Sequence, residues 1–316
     1  MKIITFDDIK NLNISPVTCY EWVEDMLLNK KKVVLPPKIS MKWTDGVFCN
    51  VMPCVLMDER NSAGVKVVTR YPERIPSLDS DLVIFDSETG EFLAFMDANW
   101  ITAMRTGAVA AHSIKLLAKK GFSKLSFLGL GNTARAALLV LASIMPEKQF
   151  TVKLMRFQGE EDSFAERFRD FSNLKFEYAD THEDLVRGCE VLVSAATYLP
   201  EDVCPDDCFD EGVLVVPIHT LGFTNCDLFF DKIYADDFGH VHHFKNFDKF
   251  KYFSEVTDVL LGNTKGREND RERILAYNIG LSIHDINFAS RIYAMLCDNE
   301  KIKDVDMCAP KDKFWI

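Results

Sequence analysis

The sequence predicts an α/β protein built on a doubly wound parallel sheet, and three observations carry that reading. From residue 124 onward, short apolar strands alternate with helical stretches, a pattern that demands parallel pairing through crossover connections. The first of these strands, 125–128, passes through Gly129-x-Gly131-x-x-Ala134 directly into a helix-forming run at 136–142. Residues 1–115 instead hold strands joined by turns, so a second domain of α+β type is expected ahead of the doubly wound one.

The glycine turn has the physical logic of a dinucleotide site. Gly129 allows the tight turn from strand to helix. Gly131 lacks a Cβ, so a pyrophosphate can approach the backbone, and Ala134 is small enough for the helix to pack on its strand. The helix then directs free N–H groups and its positive dipole end at the phosphates. Asn132 and Thr133 complete the turn. Small residues at this spacing also occur in ordinary strand–turn–helix packing, and it is the flanking strand and helix that favour a nucleotide.

Composition bounds the rest. A chain of 316 residues is long enough for two domains with a full core in each. Its net charge of -11 argues against nucleic acid or an anionic membrane surface as partner, and the basic run Lys30-Lys31-Lys32 is too short for a binding tail. The N-terminus carries no recognisable secretory signal, and the nine cysteines are an odd, scattered set, so free thiols in the cytoplasm are expected. Cys204 and Cys208 are spaced like two metal ligands, and His240, His242 and His243 could join them. No second ligand pair follows at a suitable spacing, and no metal is expected. No apolar stretch approaches the roughly 18 residues of a membrane span.

In chain order, 6–9 and Ser15-Pro16 open helices, and 17–28 has helical apolar spacing. Residues 32–38 are extended. Strands follow at 46–53, 63–69 and 82–86, and the hairpin turn 86–91 leads to a strand at 92–96. A long helix covers 100–119, and Gly121 stops it before the dinucleotide strand. Beyond the glycine turn come strands at 150–157, 175–178, 191–194, 213–218 and 232–235, with helices at 163–171 and 183–187. The stretch 238–253, rich in Phe, Lys and His, reads as a capping helix with buried rings rather than as a binding surface. Residues 270–295 read as one long helical region with Gly280 in its middle.

From about Val34 to Leu296 the chain resembles the ornithine cyclodeaminase/mu-crystallin family, which also includes an alanine dehydrogenase and several imine reductases. The resemblance is carried by Val51-Met52-Pro53, by Gly64-Val65-Lys66-Val67-Val68-Thr69 and by Phe85-Asp86-x-x-Thr89-Gly90-Glu91-x-x-Ala94. It continues in Ile101-Thr102-Ala103-Met104-Arg105-Thr106-Gly107-Ala108, followed about 23 residues later by the glycine turn. Leu261-Gly262-x-x-x-Gly266-Arg267 and Ile279-Gly280-x-x-x-x-Asp285 complete it. The resemblance implies a substrate-binding and dimerisation domain, here 1–118 plus 281–316, with the dinucleotide-binding domain 119–280 inserted into it. A homodimer and a small amino-acid or imino-acid substrate are implied as well.

The same resemblance assigns roles. Lys66, on its own an outward lysine of a half-exposed strand, matches the family's active-site lysine. An ammonium beside an apolar cleft can grip a carboxylate or act in proton transfer. Arg105, on its own a solvated helix arginine, matches the arginine that forks onto the substrate α-carboxylate. Thr106 is then close to the cofactor phosphates, and Thr197, past the fourth strand, joins the cofactor set. Lys38 stands where relatives usually carry a second carboxylate-binding arginine.

The fifth strand departs further. Cyclodeaminases place an aspartate just past it, and here the sequence continues Ile218-His219-Thr220-Leu221, with Leu221 in that register. Asp227 is expected to cap a helix start. His219 is either a substituted proton donor and substrate contact or a packed, hydrogen-bonded residue.

At the end of the second strand, Arg156 stands where an acid would hold the ribose hydroxyls of NAD, and Glu160 and Glu161 come slightly late, so NADP is expected over NAD. The activity implied is an NAD(P)-dependent reductase or dehydrogenase of α-imino or α-amino acids. The alternatives are ammonia-releasing cyclisation of L-ornithine with catalytic NAD, and a non-catalytic, mu-crystallin-like ligand binder.

Overall fold

A computed structural model describes residues 1–197, 199–219, 221–306 and 312–314. In chain order it contains β1 (Lys2–Ile4), α1 (Phe6–Asn11), α2 (Pro16–Leu28), β2 (Val33–Val34), β3 (Ile39–Thr44), β4 (Val47–Leu56), β5 (Ser62–Arg70), β6 (Leu78–Asp86) and β7 (Phe92–Asp97). Then come α3 (Asn99–Leu117), β8 (Lys124–Leu128), α4 (Asn132–Ile144), β9 (Phe150–Met155), α5 (Glu160–Arg167), β10 (Leu174–Ala179), α6 (His182–Val186) and β11 (Val191–Ser194). The last are β12 (Leu214–Pro217), α7 (Cys226–Phe229), β13 (Lys232–Ala235), α8 (Phe238–Val241), β14 (Phe253–Glu255), α9 (Val256–Leu260), β15 (Ile274–Tyr277), α10 (Ser282–Leu296) and β16 (Lys303–Asp304).

The chain forms two compact units. The first takes Met1–Asn13, Lys32–Ile101 and the chain from Asp285 on; the second takes Ile14–Lys31 and Thr102–His284. The N-terminal part is therefore itself divided: α2 joins the second unit, where it packs on α4. Its buried face, Cys19, Tyr20, Trp22, Val23, Met26 and Leu27, drives that packing.

The first unit is a mixed sheet in the order β16-β1-β7-β6-β5-β4-β2, with β3 also pairing β4. Strands β4 to β7 are an antiparallel meander, whereas β1 runs parallel to β7. Alternation along β6 and β7 turns Leu82, Ile84, Ala94 and Met96 inward, where each is essentially inaccessible to solvent. Helix α10 lies on this sheet. A Cβ at Gly64 would stand 2.5 Å from the Val83 carbonyl oxygen and 2.7 Å from Cδ1 of Ile286. The missing side chain at 64 thus sets how closely the helix approaches β5. Strand β3 was not read from the sequence, although Ile39, Met41 and Trp43 alternate with polar residues along it; every residue in it is exposed.

The second unit is an all-parallel sheet in the order β10-β9-β8-β11-β12-β15-β13-β14. Its central strands are buried on both faces: all residues of β11, β12, β13 and β15 are buried. The strand order reverses between β8 and β11, which makes the carboxyl ends of those two strands the switch point where such sheets bind ligands.

The helix expected over 270–295 is corrected: β15 occupies Ile274–Tyr277, and Gly280, at φ +84°, turns the chain into α10. A strand buried on both faces has no alternating pattern, so its apolar run reads equally well as helix. The stretch 238–253 is a short helix, a 3-10 turn and a strand rather than one helix. Its rings do cluster, Phe238 on Phe247 and Phe253, and Phe244 on Tyr277.

Candidate functional site

The glycine turn lies at the switch point. Gly129 has φ +82°, and a Cβ there would stand 2.5 Å from the Ala196 amide nitrogen just past β11. The turn is therefore closed by backbone against backbone, which only glycine permits. Gly131 is the N-cap of α4, with no side-chain cap bond, and no atom lies within 4 Å of where its Cβ would stand. The first-turn N–H groups of α4 thus open onto free space, as a bound pyrophosphate needs. Asn132 is exposed, Thr133 half-buried and Ala134 fully buried against the strand. Gly107 on α3 lies against the α4 backbone, since a Cβ there would stand 2.5 Å from Ala137 N. Thr106, the residue before it, is buried. These features fit a dinucleotide pyrophosphate. Thr197 is exposed on the bend after β11.

At the ends of β9 and β10, Arg156 is already paired. Its Nε lies 3.1 Å from Asp180 Oδ1 and its Nη1 3.8 Å from Glu161 Oε1, while the guanidinium rests 4.9 Å from the Tyr178 ring centroid. Glu161 turns back to accept the Phe157 N–H at 3.0 Å. The acid that comes late in sequence is brought to the strand end by the turn at Gln158 and Gly159, with φ +53° and +80°.

Past β12, the Leu221 N–H donates to His219 Nδ1 at 3.3 Å, which leaves the ring proton on Nε2, 2.7 Å from Ser194 Oγ. Burial lowers the pKa of this histidine to about 4, so it is neutral at physiological pH. Both ring nitrogens of His219 are engaged within the chain, and Leu221 is half exposed. Asp227 does not cap a helix. It lies inside α7, whose N-cap Asn225 makes no side-chain cap bond, and its carboxylate accepts the Tyr277 hydroxyl at 2.9 Å and Asn246 Nδ2 at 3.5 Å. Burial raises its pKa to about 6.

Arg105, in α3, is buried. A Cβ on Gly280 would stand 2.9 Å from its Nη1, so the guanidinium rests on the backbone of that turn. The turn is pinned by the Gly280 N–H donating to Asp236 Oδ2 at 3.0 Å. His284 is fully buried with neither ring nitrogen hydrogen-bonded, and burial followed by the charge of Arg105 holds its pKa well below the usual range. The imidazole is thus neutral beside a fixed cation.

In the first unit, Lys66 sits mid-strand in β5 with no solvent exposure. Its Nζ donates to Asp285 Oδ1 at 2.8 Å, and Asp285 is equally inaccessible. The Asp285 charge also reaches Cys54, whose thiol is pushed up to about 12, chiefly by burial. Arg60 braces the same helix from β5's leading turn, bonding Asp58 and Asn287. Lys38 is half-buried between β2 and β3. Asp285 stood in the sequence motif without a role. The signal was an acid at helical spacing from Leu281, Phe288 and Ala289, on the face that the helix buries, since a buried carboxylate requires a cation.

Among the described residues no three His, Cys, Asp or Glu side chains gather as a metal would require. His240 bonds Asp237 at 2.8 Å instead. Also among the described residues, no helix is long and apolar enough to cross a membrane.

A family model for the ornithine cyclodeaminase/mu-crystallin family matches residues 2–300. The chain belongs to the ornithine cyclodeaminase/mu-crystallin family. It is 28% identical over 275 residues to the nodulation efficiency protein NfeD of Rhizobium meliloti, covering 82% of this chain and 83% of that one. It is 26% identical over 313 residues to the alanine dehydrogenase of Archaeoglobus fulgidus, covering 92% and 94%. Among solved structures, the Delta(1)-pyrroline-2-carboxylate reductase of Thermococcus litoralis, in complex with NADH and L-proline, superposes with a TM-score of 0.84 at 24% identity, covering 96% of this chain and all of that one. That likeness shows the family fold in both units.

Proposed function

We propose that this member of the ornithine cyclodeaminase/mu-crystallin family is an NAD(P)-dependent oxidoreductase of small α-imino or α-amino acids. One observation carries the nucleotide part: the uncapped, unobstructed start of α4 at Gly131, beside a turn that only glycine can make. The substrate class rests on Arg105 and Lys66, together with relatives named for alanine and for pyrroline-2-carboxylate.

When bound, the nicotinamide supplies the hydride. Gly129, Gly131, Asn132, Thr133, Ala134, Thr106 and Thr197 hold the dinucleotide. Arg105 forks onto the substrate carboxylate, and its rest on the Gly280 backbone limits the entropy it loses on binding. Lys66 carries a proton at Nζ, oriented by Asp285, and Lys38 is a further cation of the first unit for binding substrate. Proton delivery from His219 is disfavoured, because its Nε2–H already serves Ser194. Nothing at Leu221 can activate a water, so ammonia release from ornithine is disfavoured too.

The test is NAD(P)H consumption with a panel of α-keto acids plus amines and cyclic imines, alongside ammonia release from L-ornithine. Stoichiometric oxidation of NAD(P)H supports the proposal; ammonia and proline from L-ornithine without net NADH would overturn it in favour of cyclodeamination.

We further propose a homodimer joined through the first unit and acting in the cytoplasm. Ile39, Met41 and Trp43, on alternate positions of β3, present exposed apolar side chains, with Ile39 in register with Val51 and Val51 with Val67. The described cysteines are all free thiols, which suits a reducing compartment. Trp43→Asp should halve the mass read by sedimentation; a wild-type monomer would end the dimer reading.

A further inference from the structure

The carboxyl edge of β9 and β10 bears on which dinucleotide the second unit takes. Arg156 is the cation that the sequence sets against a 2′-phosphate at that edge. In the structure its guanidinium faces two carboxylates, Asp180 at 3.1 Å and Glu161 at 3.8 Å, and stacks on Tyr178. Its backbone is fixed as well, since the Arg156 N–H donates to Ala179 O at 3.0 Å. Glu161 is held ionised: backbone N–H bonds, from Phe157 first, lower its pKa, and the Arg156 charge adds to them.

The second cation nearby is Arg135, in the first turn of α4. Each of its three nitrogens donates one bond, to the Leu130 carbonyl at 3.2 Å, the Ser163 carbonyl at 3.1 Å and Ser163 Oγ at 3.2 Å, which turns the guanidinium toward α5. Glu160 lies close enough to Arg135 for its charge to be felt there. The edge thus sets the Asp180 and Glu161 carboxylates directly against the Arg156 guanidinium.

We infer that this edge selects the dinucleotide with a free ribose 2′-hydroxyl, NAD(H), and turns away the 2′-phosphorylated form. The inference rests on the dinucleotide reading above and reverses the preference for NADP expected from the sequence. A phosphate brought to Arg156 competes with Asp180 for the guanidinium and comes to stand beside the Asp180 and Glu161 carboxylates, which repel the new dianion. A ribose diol instead donates hydrogen bonds to the carboxylates already there, and Arg156 keeps its partners. Asp180 is 84% exposed, so its carboxylate is accessible to such a ligand.

The experiment measures dissociation constants of NADH and NADPH by nicotinamide fluorescence, with AMP and adenosine 2′,5′-bisphosphate as competing probes. Wild-type protein should bind NADH at least 10-fold more tightly than NADPH. Asp180→Asn should narrow that gap by strengthening NADPH, because it releases Arg156 from its nearer partner. Arg156→Ala should change the two affinities by similar factors. Tighter NADPH binding in the wild type, or an Arg156→Ala loss confined to NADPH, would overturn this inference and leave the dinucleotide reading standing. Binding of neither cofactor would overturn both.

Discussion

Lys66 Nζ and Asp285 Oδ1 lie 2.8 Å apart, 219 residues apart in sequence, and neither side chain reaches solvent. Such a pair returns little net stability, because both charges were taken out of water to make it. Its complete burial inside the first unit points to a use for the ammonium rather than to stability. Removing one partner strands the other. Lys66→Met should therefore lose roughly 3–5 kcal/mol in denaturant unfolding and all turnover. The double variant Lys66→Met/Asp285→Leu should regain most of that stability and none of the turnover. Near-normal turnover in Lys66→Met would remove the lysine from the mechanism.

Arg105→Lys tests the carboxylate grip. The guanidinium is buried against the Gly280 turn, and an ammonium cannot present two parallel donors from that place. The variant should fold and bind dinucleotide normally. Its kcat/KM should fall by about 10²-fold or more, on the order of 3 kcal/mol. Steady-state kinetics with unchanged kcat/KM would dismiss Arg105 from substrate binding.

The two glycines of the turn should part company under substitution. Gly131 has an ordinary φ of -71° and open space at its Cβ, so Gly131→Val should leave the melting temperature nearly unchanged. It should weaken the dinucleotide at least 10-fold, because the new methyls occupy the pyrophosphate's approach. Gly129→Val combines φ +82° with a clash on the Ala196 backbone and should destabilise by about 2 kcal/mol or more. Calorimetry of both variants, with and without NADH, separates the effects; unaltered NADH affinity in Gly131→Val would refute the proposed pyrophosphate position.

Asp227 should leave a signature in the pH dependence of stability. Its folded-state pKa of about 6 lies above the ordinary aspartate value of 3.8, so the folded chain holds this proton more tightly than the unfolded one. The resulting stabilisation is fully present below about pH 4 and is lost as the pH rises through about 6. Asp227→Asn keeps an acceptor for the Tyr277 hydroxyl without the buried charge. It should be more stable than wild type at pH 8, by about 1 kcal/mol, and no more stable at pH 4. Equal stability differences at both pH values would show that Asp227 titrates normally.

What the sequence by itself determined was whatever depends on neighbours along the chain. The strand–glycine–helix at 124–144 and the meander strands β4 to β7 are local patterns of turn chemistry and apolar period, and the structure has them within a few residues of expectation. Gly129 and Gly131 were legible for the same reason: a steep turn followed by a helix start constrains residues a few positions apart.

The tertiary structure alone decided what depends on residues brought from afar. Asp285 became Lys66's partner only because Gly64 lets α10 settle on β5. Arg156 read as a free cation until β10 brought Asp180 beside it and a left-handed turn folded Glu161 back. His219 read as either a proton donor or a packed, hydrogen-bonded residue, and the Leu221 N–H and Ser194 at its two nitrogens decide for the second. Strand β15 was hidden for a related reason, since full burial on both faces erases the alternation by which a strand is recognised. A charge or a ring nitrogen is available for chemistry only if nothing else in the fold has claimed it, and that is settled by packing across the sheet rather than by order along the chain.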